Sequence, residues 1–132
     1  MTISDALIEE AILIISEIEY IEMNIEELVD DVILIAYVFN QEDAFKTAIA
    51  QIAHSLKLIV KKYNKTGQEI GQKLVHNYEG WTSFHFQSAR KNGNIADMRI
   101  LYQTPPHGVI TVRGFGHRYL PEDVYDRLNQ RK

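Results

Sequence analysis

Apolar residues fall at Leu7, Ala11, Ile14, Ile18, Ile21, Ile25, Leu28, Val32, Ile35 and Phe39, alternately four and three positions apart. That spacing is a heptad stripe along one side of a helix. No glycine or proline precedes Gly67 to interrupt it. Asn24, with Glu27 three residues on, has the form of a capping box and divides the stripe into helices over about 4–22 and 25–39. The run from Val32 to Phe39 is continuously apolar and rich in β-branched residues, so it reads equally well as a buried strand. A further helix follows Asn40 over 41–63, with an inward stripe of Phe45, Ile49, Ile52, Leu56, Ile59 and Tyr63. Gly67 ends it, and a short partner helix over 68–75 would complete a helical hairpin.

After Gly80 the period changes to two. Phe84 and Phe86 alternate with Ser83, His85 and Gln87, as on a half-buried strand. The polar stretch 88–97 is a hairpin loop turning at Asn92-Gly93. Met98–Gln103 is the second strand, "TPPHG" the next turn, and Val109–Phe115 the third strand. Pro121 opens a last helix in which Val124 and Leu128 face inward. The expected class is therefore α+β: N-terminal helices plus a helical hairpin packed on a small antiparallel sheet of three or four strands, closed by a short C-terminal helix. The whole, 1–132, reads as one domain, with 1–39 as an acidic helical extension.

An apolar fraction of 45% supplies a core, and the absence of cysteine excludes disulfides, thiolate metal sites and cysteine nucleophiles. The cytoplasm is the expected location, with no leader segment and no uncharged run near the roughly 20 residues that span a membrane. Charge is divided sharply. Before Lys46 there are twelve acidic residues and no Lys or Arg; from it onward there are six acids and fourteen bases. Two readings follow: solvated surfaces at both ends, or a basic part that meets a polyanion and an acidic part that meets or mimics one. The stripe's large side chains must also find cover, since burying each is worth about 1.5–3 kcal/mol. The cover is either the chain's own sheet and hairpin or the same helices of a second subunit, and the length of the stripe favours a homodimer.

Phosphate-binding glycine loops, nucleophile elbows and paired metal-binding histidines are absent, so no metal or cofactor is expected. What remains is an ordered set: Gly80-Trp81, His85, "MRILY" at 98–102, "GHR" at 116–118, and Tyr125. In order and spacing this resembles the RelE/ParE superfamily of bacterial toxins from Leu74 to Leu128, and the helical pair 41–63 and 68–75 stands where that family has its helical hairpin. The resemblance makes 40–132 a RelE/ParE-like core. It differs in having His85 where the family often has arginine, in a longer first hairpin carrying Arg90 and Lys91, and in some thirty N-terminal residues without a counterpart.

The resemblance implies cleavage of messenger RNA on the ribosome or poisoning of gyrase, and a cognate antitoxin. The residues favour the first. Metal-free RNA cleavage needs a base for the 2′-hydroxyl, an acid for the departing 5′-oxygen and cations for the phosphate. His85 and His117 suit base and acid, Arg99 and Arg118 the phosphate, and Tyr125 a nucleobase. Lys73, Arg90, Lys91 and Arg113 are the candidate RNA contacts. Each has a structural alternative: His117 and Arg118 cap the strand end or pair with Glu122 and Asp123, His85 is a sheet histidine, and Arg99 pairs with Asp97 or Glu79. The corresponding functional alternative is a non-enzymatic interaction protein on the same scaffold.

Overall fold

The computed structural model describes residues 2–91, 93–106 and 108–131. Helix α1 (Asp5–Ser16) starts where the Ser4 side chain accepts from the Leu7 amide, and α2 (Ile25–Val38) where Asn24 accepts from the Glu27 amide. Between them a two-residue strand, β1 (Ile21–Glu22), breaks the stripe. Residues 32–38 are helix, not strand, and Phe39 is the C-cap. Val32, Ile35 and Ala36 are buried while Ile33 and Tyr37 are exposed, the spacing of a helix with one face in a core.

Helix α3 (Glu42–Thr66) buries the expected stripe from Phe45 to Ile59. Gln41, rather than Asn40, occupies its cap, without a side-chain hydrogen bond, and Gly67 closes it in the left-handed conformation. The second half of the expected hairpin does not form. Residues 68–75 are not helical and include a two-residue strand, β2 (Gln72–Lys73). A buried tyrosine explains this: the Tyr102 hydroxyl donates to the Ile70 carbonyl (2.6 Å) and accepts from the Ile70 amide (2.8 Å), taking both backbone groups that a helix would use. Gly71, at φ +121°, passes so near the backbone at Ser83 that a Cβ would lie 2.4 Å from the Ser83 carbonyl oxygen.

The remaining strands are β3 (Thr82–Phe86), β4 (Met98–Gln103) and β5 (Ile110–His117), followed by α4 (Val124–Leu128). The sheet has five strands in the order β1-β5-β4-β3-β2. It is mixed, because β1 runs parallel to β5, whereas β2 to β5 pair antiparallel, so the expected antiparallel sheet of three or four strands is present with one parallel strand added at its edge. Both edge strands, β1 and β2, are two residues long, too short to show a period. Asn92 of the proposed Asn92-Gly93 turn and His107 of "TPPHG" lie outside the described residues.

One face of the sheet, with Met98, Ile100, Tyr102 and Phe115, packs on the three long helices, and most of the N-terminal stripe is covered there. Ile14 and Ile25 remain exposed. The other face carries a smaller cluster in which Leu101 meets Val124 and Leu128 of α4. Gly114 and Gly116 make that contact possible, since a Cβ on the first would lie 2.4 Å from Leu128 and on the second 2.6 Å from the Arg127 guanidinium. Among the described residues no helix is long and apolar enough to cross a membrane.

Candidate functional site

Cross-strand pairing builds the site on the α4 face of the sheet. His85 lies opposite Arg99 in the β3–β4 ladder, and Arg99 opposite Gly116 in β4–β5. Directly paired residues share a face with Cβ atoms about 5 Å apart, so the imidazole and guanidinium rise side by side. Arg118 enters from the end of β5. Its amide donates to the Asp97 carbonyl (2.8 Å), and its Nη1 pairs with Asp123 Oδ2 at 2.6 Å. Asp123 also caps α4 by accepting from the Tyr125 amide (2.9 Å), so one carboxylate aligns both the arginine and the helix. The Arg118 guanidinium lies over the Tyr119 and Tyr125 rings, 4.6 Å from each centroid. Tyr125 is held in turn by a 2.8 Å hydrogen bond between its hydroxyl and Ser83 Oγ, and by the Tyr78 hydroxyl donating to its carbonyl.

Four of the five expected catalytic residues, His85, Arg99, Arg118 and Tyr125, are thus drawn to one face. Partial burial, then the charges of Arg99 and Arg118, hold the His85 pKa below its ordinary value, which leaves a neutral imidazole at pH 7. Arg99 donates from Nη1 to the Ala96 and Met98 carbonyls, 2.9 Å each, instead of pairing with Asp97 or Glu79. Its Nε is buried without a hydrogen-bond partner among the described residues.

His117 is not part of this group. It pairs with Met98, whose side chain is in the helical core, and its ring sits 6.2 Å from that of Phe39. Its Nδ1 accepts from the Tyr119 and Leu120 amides at 3.1 and 3.0 Å, so it ties down the turn after β5. The structure also scatters the expected RNA contacts. Lys73 is exposed on the edge strand β2, opposite Thr82 and so on the other face from His85. Arg90 reaches His54 of α3 (3.2 Å), and Lys91 sits in the same loop, its amide bound to Gln87. Arg113 is occupied structurally. A bulge leaves it between paired neighbours, and it donates to the Leu128 (3.0 Å) and Arg131 (2.6 Å) carbonyls, with the Tyr78 and Trp81 rings beneath it. It therefore takes up carbonyls that the end of α4 leaves open.

A second polar cluster went unrecognised in the sequence. Asp31 of α2 is fully buried and receives Arg127 Nη1 (2.5 Å), Arg131 Nη2 (2.7 Å) and the Phe115 amide (3.0 Å). Arg127 and Arg131 also donate to the Phe115 and Arg113 carbonyls, 3.0 Å each, so three side chains satisfy the stretch of β5 beyond its pairing with β1. The signal available was the position of Asp31, on the inward stripe between Leu28 and Ile35.

Partial burial also lowers the pKa of His117, which nearby Asp97 opposes and Arg99 reinforces. Both imidazoles therefore bind protons less readily folded than unfolded. Their contribution to stability is present above the ordinary value of 6.5 and is lost as the pH falls through the folded values. Thermal unfolding from about pH 7 down to about pH 5 is expected to show a falling midpoint, and a His85→Asn/His117→Asn double variant a flatter one. Parallel curves for the two proteins would contradict this. No family model, curated protein or solved structure matches the chain.

Proposed function

We propose that this protein is a metal-independent endoribonuclease of the RelE type, acting on messenger RNA in the cytoplasm, free or on the ribosome, and restrained by a cognate antitoxin. One observation carries the reading: a solvent-accessible imidazole, His85, its pKa held below the ordinary value, stands beside two cations, Arg99 and Arg118, on an open face. Such a group can take the proton from a ribose 2′-hydroxyl while the arginines bear the charge gathering on the phosphate. O2′ then bonds to phosphorus, the bond to O5′ breaks, and a 2′,3′-cyclic phosphate remains. With His117 turned to the opposite face, the departing 5′-oxygen takes its proton from the Tyr125 hydroxyl or from water. Purified protein incubated with single-stranded RNA in EDTA tests this. Products ending in a cyclic phosphate and a 5′-hydroxyl are expected, whereas intact RNA, with and without ribosomes, would defeat the enzyme reading. Inhibition of gyrase supercoiling in its place would move the assignment to the ParE branch.

The alternative, an assembly protein that forms a homodimer through its N-terminal helices, has one observation in its favour. Ile14 of α1 is exposed and, with Leu7, Ala11, Phe45 and Ile49, lines an apolar groove between α1 and α3. Sedimentation equilibrium at micromolar concentration decides it: a dimer that Ile14→Glu dissociates supports the reading, and a monomer removes it.

A further inference from the structure

We propose that Tyr119 is a stacking platform through which this site reads an unpaired nucleobase, so that the RNA it takes is single-stranded. This rests on the RNA reading above. Tyr119 is 62% exposed although its ring is in contact with the Arg118 guanidinium, so solvent still reaches much of an aromatic side chain fixed beside the candidate phosphate ligand. Its backbone is tied down: the Tyr119 amide is bound to His117 Nδ1, the next amide shares that acceptor, and the Arg118 guanidinium against the ring is held by Asp123. A ring on a held backbone, already against a held cation, has less freedom to lose when a base lands on it. Every nucleobase offers a π-face, but in a duplex those faces are already stacked, so only an unpaired base can use the ring. A base on Tyr119 and its phosphate at Arg118 are adjacent parts of one nucleotide, and this gives a use to a tyrosine that the core does not bury.

The test is fluorescence anisotropy with a short 2′-O-methyl RNA, which cannot be cleaved, its duplex, and a ribose-phosphate strand of equal length without bases. Wild type, Tyr119→Ala, Tyr119→Phe and Arg118→Ala are compared, and the thermal midpoint of each is checked. Tyr119→Ala is expected to weaken binding of the single strand about 5- to 150-fold. Tyr119→Phe should bind like wild type, the duplex should bind wild type more weakly than the single strand, and the baseless strand should not distinguish Tyr119→Ala from wild type. Equal losses on the base-bearing and baseless strands, no loss at all, or a duplex bound as tightly as the single strand would overturn the role of Tyr119. If Arg118→Ala weakens binding and Tyr119→Ala does not, the platform alone falls. If no strand binds, or if Arg118→Ala has no effect, the RNA reading of the site falls and the platform with it.

Discussion

Replacing Asp31 with alanine is expected to destabilise the fold by about 3–5 kcal/mol, the largest loss anticipated for any single side chain here. The carboxylate is fully buried and is shared by Arg127, Arg131 and the Phe115 amide. Removing it leaves two guanidinium groups, their side chains only 12% and 11% exposed, facing each other with only Glu27, 3.8 Å from Arg131 Nε, as a nearby counter-charge. The size of the effect comes from the uncompensated charge, so two further variants separate the causes. Asp31→Asn retains a hydrogen-bond acceptor for the amide but still loses the charge, and should remain strongly destabilised. Replacing Asp31, Arg127 and Arg131 together with apolar residues should recover much of the loss, because neutral packing avoids the desolvation of three ions. Urea unfolding provides the measurement, and a loss below about 1 kcal/mol for Asp31→Ala would place the network at the level of a surface pair. The network also fastens α4, which carries Asp123 and Tyr125 into the candidate site. Partial unfolding of this end should therefore reduce activity before the core melts.

His85→Ala is expected to reduce RNA cleavage about 10²- to 10⁴-fold with little change in RNA affinity, since the base acts on a proton while the arginines hold the phosphate. In the wild-type protein the rate should rise with pH as His85 loses its proton and level off near neutrality, because burial and its two cationic neighbours place that transition below the ordinary imidazole value of 6.5. Arg118→Ala should change both the rate and the affinity. His117→Ala should leave the shape of the pH profile intact, as that ring faces the helices. Single-turnover cleavage across this pH range separates the two histidines. A pH profile that loses its ascending limb in His117→Ala and keeps it in His85→Ala would reverse their roles.

The legible parts of the molecule were those whose signal is local. The stripe from Phe45 to Ile59, the Asn24 cap, the alternation around Phe84 and the inward Val124 and Leu128 each follow from a period or a cap within one segment, and each recurs in the fold. The four side chains brought together at the site were also named from the sequence, because paired strands carry alternating residues to a common face. The pattern of 68–75 reads as helix, and the groups that hold it extended, Tyr102 and the backbone at Ser83, are distant in the chain. His117 and Arg118 are neighbours in sequence, but neighbours along an extended chain point to opposite faces, so adjacency does not bring both to one site.

Local pattern by itself determined the class, the central strands, helix α3 and the chemistry of the candidate residues, and left 32–39 open between helix and strand. Only the tertiary structure decided that a buried aspartate of the acidic segment would bind the last arginines, that Arg113 would cap the C-terminal helix, and that a two-residue parallel strand would border the sheet. The physical reason is the range of the interactions. Hydrophobic period and capping are set within a few residues, whereas a buried charge or an unpaired strand edge is satisfied by whichever group the completed fold brings within hydrogen-bond distance, and that group's place in the chain is unconstrained.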